Sequence, residues 1–183
     1  MTDPAAQQRE VQGRHPELAQ ILGEAVGQVQ AIAQVYGLQV GSDGPLRVPV
    51  VLEAIAGSVQ RTFGRAITVD PSSPGLQRLV FPETEAIPIA LTLNELLTNA
   101  VKHGQGLPVR CSVQAVEEGA LITITNTGRL RPGFSLAQFP GGVSGLGLVR
   151  ALLPRRSAQL ALEQQGDQVM AFVTLHPPSV RIE

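Results

Sequence analysis

Apolar residues recur at helical spacing from Pro16 to Gln39: Leu18, Ile21, Leu22, Ala25, Val29, Ile32, Ala33 and Tyr36. The spacing predicts a long helix, with Pro16 suited to its first turn. Its continuous stripe needs something to pack against. "VGSDGP" (Val40–Pro45) reads as a turn. A second helix is expected near Val48–Phe63, with Val51, Leu52, Ile55, Val59 and Phe63 on one side and Gly64 ending it. The period then changes. "RAITVD" (65–70) and "RLVFP" (78–82) are short strand candidates around "PSSPG". A third helix is expected from Glu83 to His103. The segment Pro108–Gly128 alternates like two strands turning at Glu117–Gly119. "GLGLVRALLP" predicts a short helix, and "AQLALEQQ" with "QVMAFVTLHP" a closing hairpin around Gly166–Asp167. The order is two helices, then strands and helices whose strands are mostly hairpin-joined. It predicts an α+β fold, a two-layer sandwich of one mixed sheet covered by helices on one face and preceded by two N-terminal helices.

The third helix raises a question. "LTLNELLTNAVKHG" (Leu91–Gly104) is half apolar, yet Glu95, Asn99 and Lys102 fall within about 60° of one another at about 100° per residue. Leu93, Leu96, Leu97, Ala100 and Val101 fill the opposite arc and would pack on the sheet. A carboxylate, a carboxamide and an amine would then be presented together. An ordinary solvated face of an amphipathic helix explains the same residues.

Two further stretches bear on that choice. "ITITNTG" puts Asn126 and Gly128 at the end of a strand. "GGVSGLGL" puts Gly145 and Gly147 where a helix begins, a place where free backbone N–H groups and the helix dipole favour an anion. Between them runs Arg129–Ser144, a loop rich in Gly and Pro and long for a connector.

Composition narrows the classes. The net charge of −1 gives no electrostatic case for nucleic acid or an anionic membrane, and no apolar run is long enough to span a bilayer. The single cysteine, Cys111, sits in an alternating apolar stretch and reads as a small buried hydrophobe, consistent with a reducing compartment. The N-terminus is polar and lacks the apolar core of a signal peptide. A soluble, cytoplasmic segment is expected, either on its own or as the cytoplasmic part of a larger or membrane-anchored protein.

"NELLTNAVKHG", "NTG" and "GLGL", in that order, resemble the N, G1 and G2 boxes of the histidine-kinase-like ATPases, which share the Bergerat ATP-binding fold. "LTLNELLTNAVKHG" is most similar to sensor histidine kinases of the HisKA_2 or HWE-related type. "HPELAQILGEAVGQVQAIAQVYGLQ" resembles their second dimerisation helix, and "RVPVVLEAI" the helix start that follows it. The resemblance runs from about Arg14 to Pro177. It implies a flexible N-terminus (1–15), partial dimerisation and phosphotransfer helices (16–64), an ATP-binding catalytic domain (65–178) and a tail (179–183).

By this resemblance, ATP and Mg²⁺ are the cofactors. Asn99 would be the Mg²⁺ ligand, and the ion's demand for oxygen donors agrees with a carboxamide. Glu95 would orient water or help take a proton from the attacking imidazole. Lys102, as a fixed positive charge, and His103 would face the phosphates. Asn126 would accept a hydrogen bond from the adenine amino group, where most of the superfamily has an aspartate. Gly128 would be the G1 glycine; the second is absent, replaced by Arg129 and Leu130. Residues 129–144 would form the lid, and Ser144, Gly145, Leu146 and Gly147 would offer backbone N–H groups to phosphate.

The family's acceptor motif, His-Arg-x-Lys-Asn, does not occur. The three histidines are His15 before Pro16, His103 in the N box and His176 at a strand end. The implied function is transfer of the ATP γ-phosphoryl group to a histidine outside this chain, for relay to an aspartate on a response-regulator receiver domain. Without the acceptor helix, the stripe Leu18–Ile21–Leu22–Ala25–Val29 lacks its bundle partner. It would pack on a second copy as a homodimer, fold back on the ATPase domain, or stay exposed. Two other readings stay open: a serine kinase of the anti-sigma-factor type, and a degenerate ATPase acting as a non-enzymatic scaffold.

Overall fold

A computed structural model of the chain describes residues 16–41, 44–70, 74–138, 141–143 and 145–183. The helices among them are α1 (Pro16–Gly41), α2 (Val48–Phe63), α3 (Glu83–His103) and α4 (Gly145–Leu152). The strands are β1 (Leu46–Arg47), β2 (Ile67–Asp70), β3 (Leu79–Phe81), β4 (Val109–Val116), β5 (Gly119–Thr127), β6 (Ala158–Gln165), β7 (Gln168–Leu175) and β8 (Arg181–Ile182). None of the described helices is long and apolar enough to cross a membrane.

The α+β sandwich expected from the sequence is the one that forms. Its main sheet runs β2-β4-β5-β7-β6, parallel between β2 and β4 and antiparallel elsewhere. Alternation sorts the side chains by face. Cys111, Ile124 and Ala171 stand side by side across three strands, as do Val113, Ile122 and Val173, and all six are buried. Leu52 and Ile55 of α2 and Leu93 and Leu97 of α3 join the same core and are fully buried. The β4–β5 turn needs Gly119, because a Cβ there would lie 1.9 Å from the Leu175 carbonyl oxygen. A second, small antiparallel sheet, β1-β3-β8, ties the entry to α2 to the last residues of the chain.

Local signals explain the helix limits. Pro49 occupies the first turn of α2, where its missing N–H costs nothing, and the Gly64 N–H returns to the Gln60 carbonyl. In α3, Glu83 and Glu85 sit in the first turn and Lys102 and His103 in the last, which suits the helix dipole at both ends.

The N-terminal helix departs from expectation. α1 does fold back on the α+β sandwich, but not through its strongest apolar stripe. Leu18, Ile21, Leu22, Val26 and Val29 are each more than half exposed. The packed face carries Gly27, Ala31 and Val35, the last two fully buried. At Gly27 a Cβ would meet the side-chain amide nitrogen of Asn94 at 3.4 Å, so this face of α1 lies directly against α3.

Candidate functional site

The C-terminal end of α3, which carries the polar line, is held from outside the helix. Arg65, just before β2, reaches the C-terminus of α3 and donates to the carbonyls of Val101 (3.0 Å), Gly104 (2.7 Å) and Leu107 (3.3 Å). A guanidinium fork suits the carbonyls that a helix end leaves unpaired. Beyond the helix, the Gln105 N–H bonds to the Thr127 carbonyl, which docks the end of α3 on the end of β5.

Glu95 was expected on an open face and is instead 3% exposed. α1 and the start of α4 cover it. Its Oε1 accepts from Gln28 Nε2 of α1 (3.2 Å), and its Oε2 accepts from the Gly145 N–H (3.1 Å). The same Gln28 nitrogen donates to the Val143 carbonyl at 3.0 Å. Burial raises the Glu95 carboxyl above its ordinary value of 4.5, and the Glu24 charge adds to this; the bonds from Gln28 and Gly145 and the charge of Lys102 oppose it.

Asn99 and Lys102 follow along the line. Glu95, Asn99, Lys102 and His103, with Asn94 and Thr98, form one wall of a cleft of about 510 Å³. Gln20, Glu24 and Gln30 of α1 and Ser58, Thr62 and Phe63 of α2 form the others. The Lys102 ammonium lies 3.9 Å from a Glu24 carboxylate oxygen and 6.0 Å from the centre of the Phe63 ring. Asn99 is half-buried, and its side chain has no hydrogen-bond partner among the described residues. A cleft of this size accommodates a small ligand. Its carboxamide and carboxylate oxygens beside one ammonium fit a hydrated Mg²⁺ carried by phosphates.

The glycine motifs stand next to this cleft and not in its wall. Asn126 is 7% exposed, and its amide donates to the Thr127 carbonyl at 3.3 Å. A Cβ on Gly128 would lie 3.0 Å from the Asn126 nitrogen and 3.1 Å from the His103 carbonyl oxygen, so the G1 segment is pressed against the end of α3. Gly145 has φ +57°, a left-handed backbone that favours glycine, and it brings its N–H to Glu95. Leu146 and Gly147 are half-buried in the first turn of α4. Ser144 lies outside the described residues.

Three residues that the sequence did not single out hold these parts together. Arg65 holds the end of α3, Gln28 joins α1 to Glu95 and α4, and Gln164 of β6 anchors the loop after β5. Gln164 Oε1 accepts from the Leu130 N–H (2.7 Å), and its Nε2 donates to the Gly128 carbonyl (3.1 Å). Gln28 had a weak signal: Glu24, Gln28, Ala31 and Val35 recur at spacings of three and four, a second face masked by the louder apolar stripe.

No protein-family model matches the chain, and no curated protein matches it. Solved structures do. The blue-light-activated histidine kinase EL346 of Erythrobacter litoralis superposes with a TM-score of 0.64 at 22% identity, over 96% of this chain and 60% of that one. The histidine kinase domain of the same protein gives 0.64 at 20% identity, over 93% and 91%. The ATP-binding domain of PrrB from Mycobacterium tuberculosis gives 0.59 at 22% identity, over 74% of this chain and 98% of that domain. The chain thus spans 60% of the length of the full EL346 kinase. At these identities the likeness is one of architecture: the chain has the fold of the catalytic, ATP-binding region of histidine kinases.

Proposed function

We propose that this chain is the ATP-binding catalytic module of a protein histidine kinase, acting with Mg²⁺ on a histidine supplied by another segment. The observation that carries the reading is the cleft beside α3, where Asn99 lines the wall next to Lys102 and Glu95 and its carboxamide has no hydrogen-bond partner among the described residues. Phosphoryl transfer asks a protein mainly for positioning and charge neutralisation. Asn99 would hold the hydrated metal ion by its amide oxygen, and Lys102 and His103 would face the phosphates. The N–H groups at the start of α4 would receive phosphate oxygens. Glu95 would accept the proton that the attacking imidazole loses. The metal ion, when bound, offsets the charge gathered on the phosphates.

A receiver-domain aspartate is the proposed next acceptor. One similar structure, the histidine kinase ThkA in complex with the response regulator TrrA, has a TM-score of 0.63 at 12% identity, over 96% of this chain and 53% of that one. The exposed stripe of α1 supports self-association, and the composition supports a cytoplasmic setting. One observation favours the scaffold reading instead: the Asn126 amide is buried against Thr127 and Gly128.

Incubation with γ-labelled ATP, Mg²⁺ and candidate acceptor helices separates the readings. Acid-labile, alkali-stable label that disappears in Asn99→Ala supports the kinase. Acid-stable label points to a serine kinase, and saturating ATP without any transfer or binding leaves the scaffold.

A further inference from the structure

The Gly145 N–H opens α4, and the proposed function gives it a phosphate oxygen to bind. In the structure it is already bonded, at 3.1 Å, to Oε2 of Glu95. A carboxylate oxygen on the first N–H of a helix stands where a phosphate oxygen would stand, held by the same dipole and the same donor. The second oxygen of Glu95 is held by Gln28, whose amide nitrogen also binds the Val143 carbonyl, two residues ahead of Gly145. Gln28 therefore bridges the α3 carboxylate and the chain that enters α4.

α1 presents Gln28 from a firm position. Ala31 and Val35, three and seven residues further on, are fully buried against the core. One turn before Gln28, Glu24 faces the Lys102 ammonium at 3.9 Å. A single helix thus engages the carboxylate, the ammonium and the start of α4, all groups that the nucleotide would need.

We infer that the chain is self-blocked: the Glu95 carboxylate occupies the phosphate position at Gly145, and Gln28 of α1 is the latch that keeps it there. The inference rests on the nucleotide reading of the site. Mg·ATP must displace Glu95 from Gly145, and displacement is easier once Gln28 lets go. Movement of α1, through whatever covers its exposed stripe, would couple to nucleotide affinity in the same way. The opposite role for Gln28, holding Glu95 ready for catalysis, predicts the opposite change in affinity.

The test compares the full chain with Gln28→Ala and with Gln28→Asn, which keeps the amide but is one methylene too short to bridge. Two quantities are read: hydrogen exchange of the amides at 143–147 without nucleotide, and the Kd for Mg·ATP. Release of the latch speeds exchange at Gly145 and tightens Mg·ATP binding, each by about three- to tenfold, the net value of an ordinary, partly exposed hydrogen bond. Unchanged exchange, or nucleotide binding that is unchanged or weaker in both variants, overturns the inference. Absence of Mg·ATP binding in all three proteins overturns the nucleotide reading and the block with it. Faster exchange in the variants would then still identify Gln28 as the contact that pins α4.

Discussion

Replacing Arg65 by alanine should loosen the end of the α3 helix on which the proposed chemistry depends. Its guanidinium donates to three backbone carbonyls, at 2.7, 3.0 and 3.3 Å, and two of these belong to the last turn and cap of α3. A hydrogen bond from a charged donor is worth about 1.5–3 kcal/mol. The three share one half-exposed side chain, and the longest is at the surface, so they do not add in full. A loss of about 2–3 kcal/mol is expected, which in a domain of this size lowers Tm by roughly 5–10 °C. Arg65→Lys keeps the charge but not the fork and should recover about half of the loss. Thermal unfolding gives the first number. Hydrogen exchange at 101–107, compared with an unrelated region such as β6–β7, shows whether the loss is local. An Arg65→Ala protein within about 0.5 kcal/mol of wild type, with unchanged exchange at 101–107, would refute the assignment of Arg65 as the cap of α3.

Other expectations follow from single groups. Because burial raises the Glu95 carboxyl in the folded state, the fold binds that proton more tightly than the unfolded chain does. The stability of wild type relative to Glu95→Gln should therefore fall as pH rises above about 4.5, the ordinary carboxylate value, and level off beyond the raised one; denaturant unfolding at several pH values measures this, and a flat or rising difference contradicts it. Burial pushes the Cys111 thiol up to about 12, so the native protein should resist alkylation at pH 8 and react only after unfolding; labelling of the folded protein at a free-thiol rate would contradict the burial. If the exposed α1 stripe joins two copies, Leu22→Glu with Val29→Glu should convert a dimer to a monomer by light scattering, whereas a monomeric wild type at every concentration removes that surface as the dimer contact.

The sequence made most of the fold legible because period and punctuation agree. Residues 108–128 alternate and pair as β4 and β5, and Gly64, Pro49 and Gly166 stand at the limits their backbones favour. The α1 packing face was not legible. The helix carries two usable faces, and the one that packs carries Gly27, Ala31 and Val35, not the more apolar stripe. Glu95, Asn99 and Lys102 were readable as neighbours from helical geometry alone and His103 from the family resemblance, and one cleft collects all four. The burial of Glu95 was not readable, because it depends on Gln28, 67 residues away, and Gly145, 50 residues away. Arg65 and Gln164 likewise act on distant backbone carbonyls and N–H groups, which leave no trace in local pattern.

Asn99 is proposed to hold a magnesium-bound nucleotide in the cleft beside α3. Calorimetric titration of Mg·ATP into wild type and Asn99→Ala, each repeated with EDTA in place of Mg²⁺, tests it directly. Wild type should bind saturably, and binding should weaken at least about tenfold, or about 1.4 kcal/mol, in Asn99→Ala and on removal of the metal. Binding of equal strength with and without the Asn99 carboxamide would contradict it.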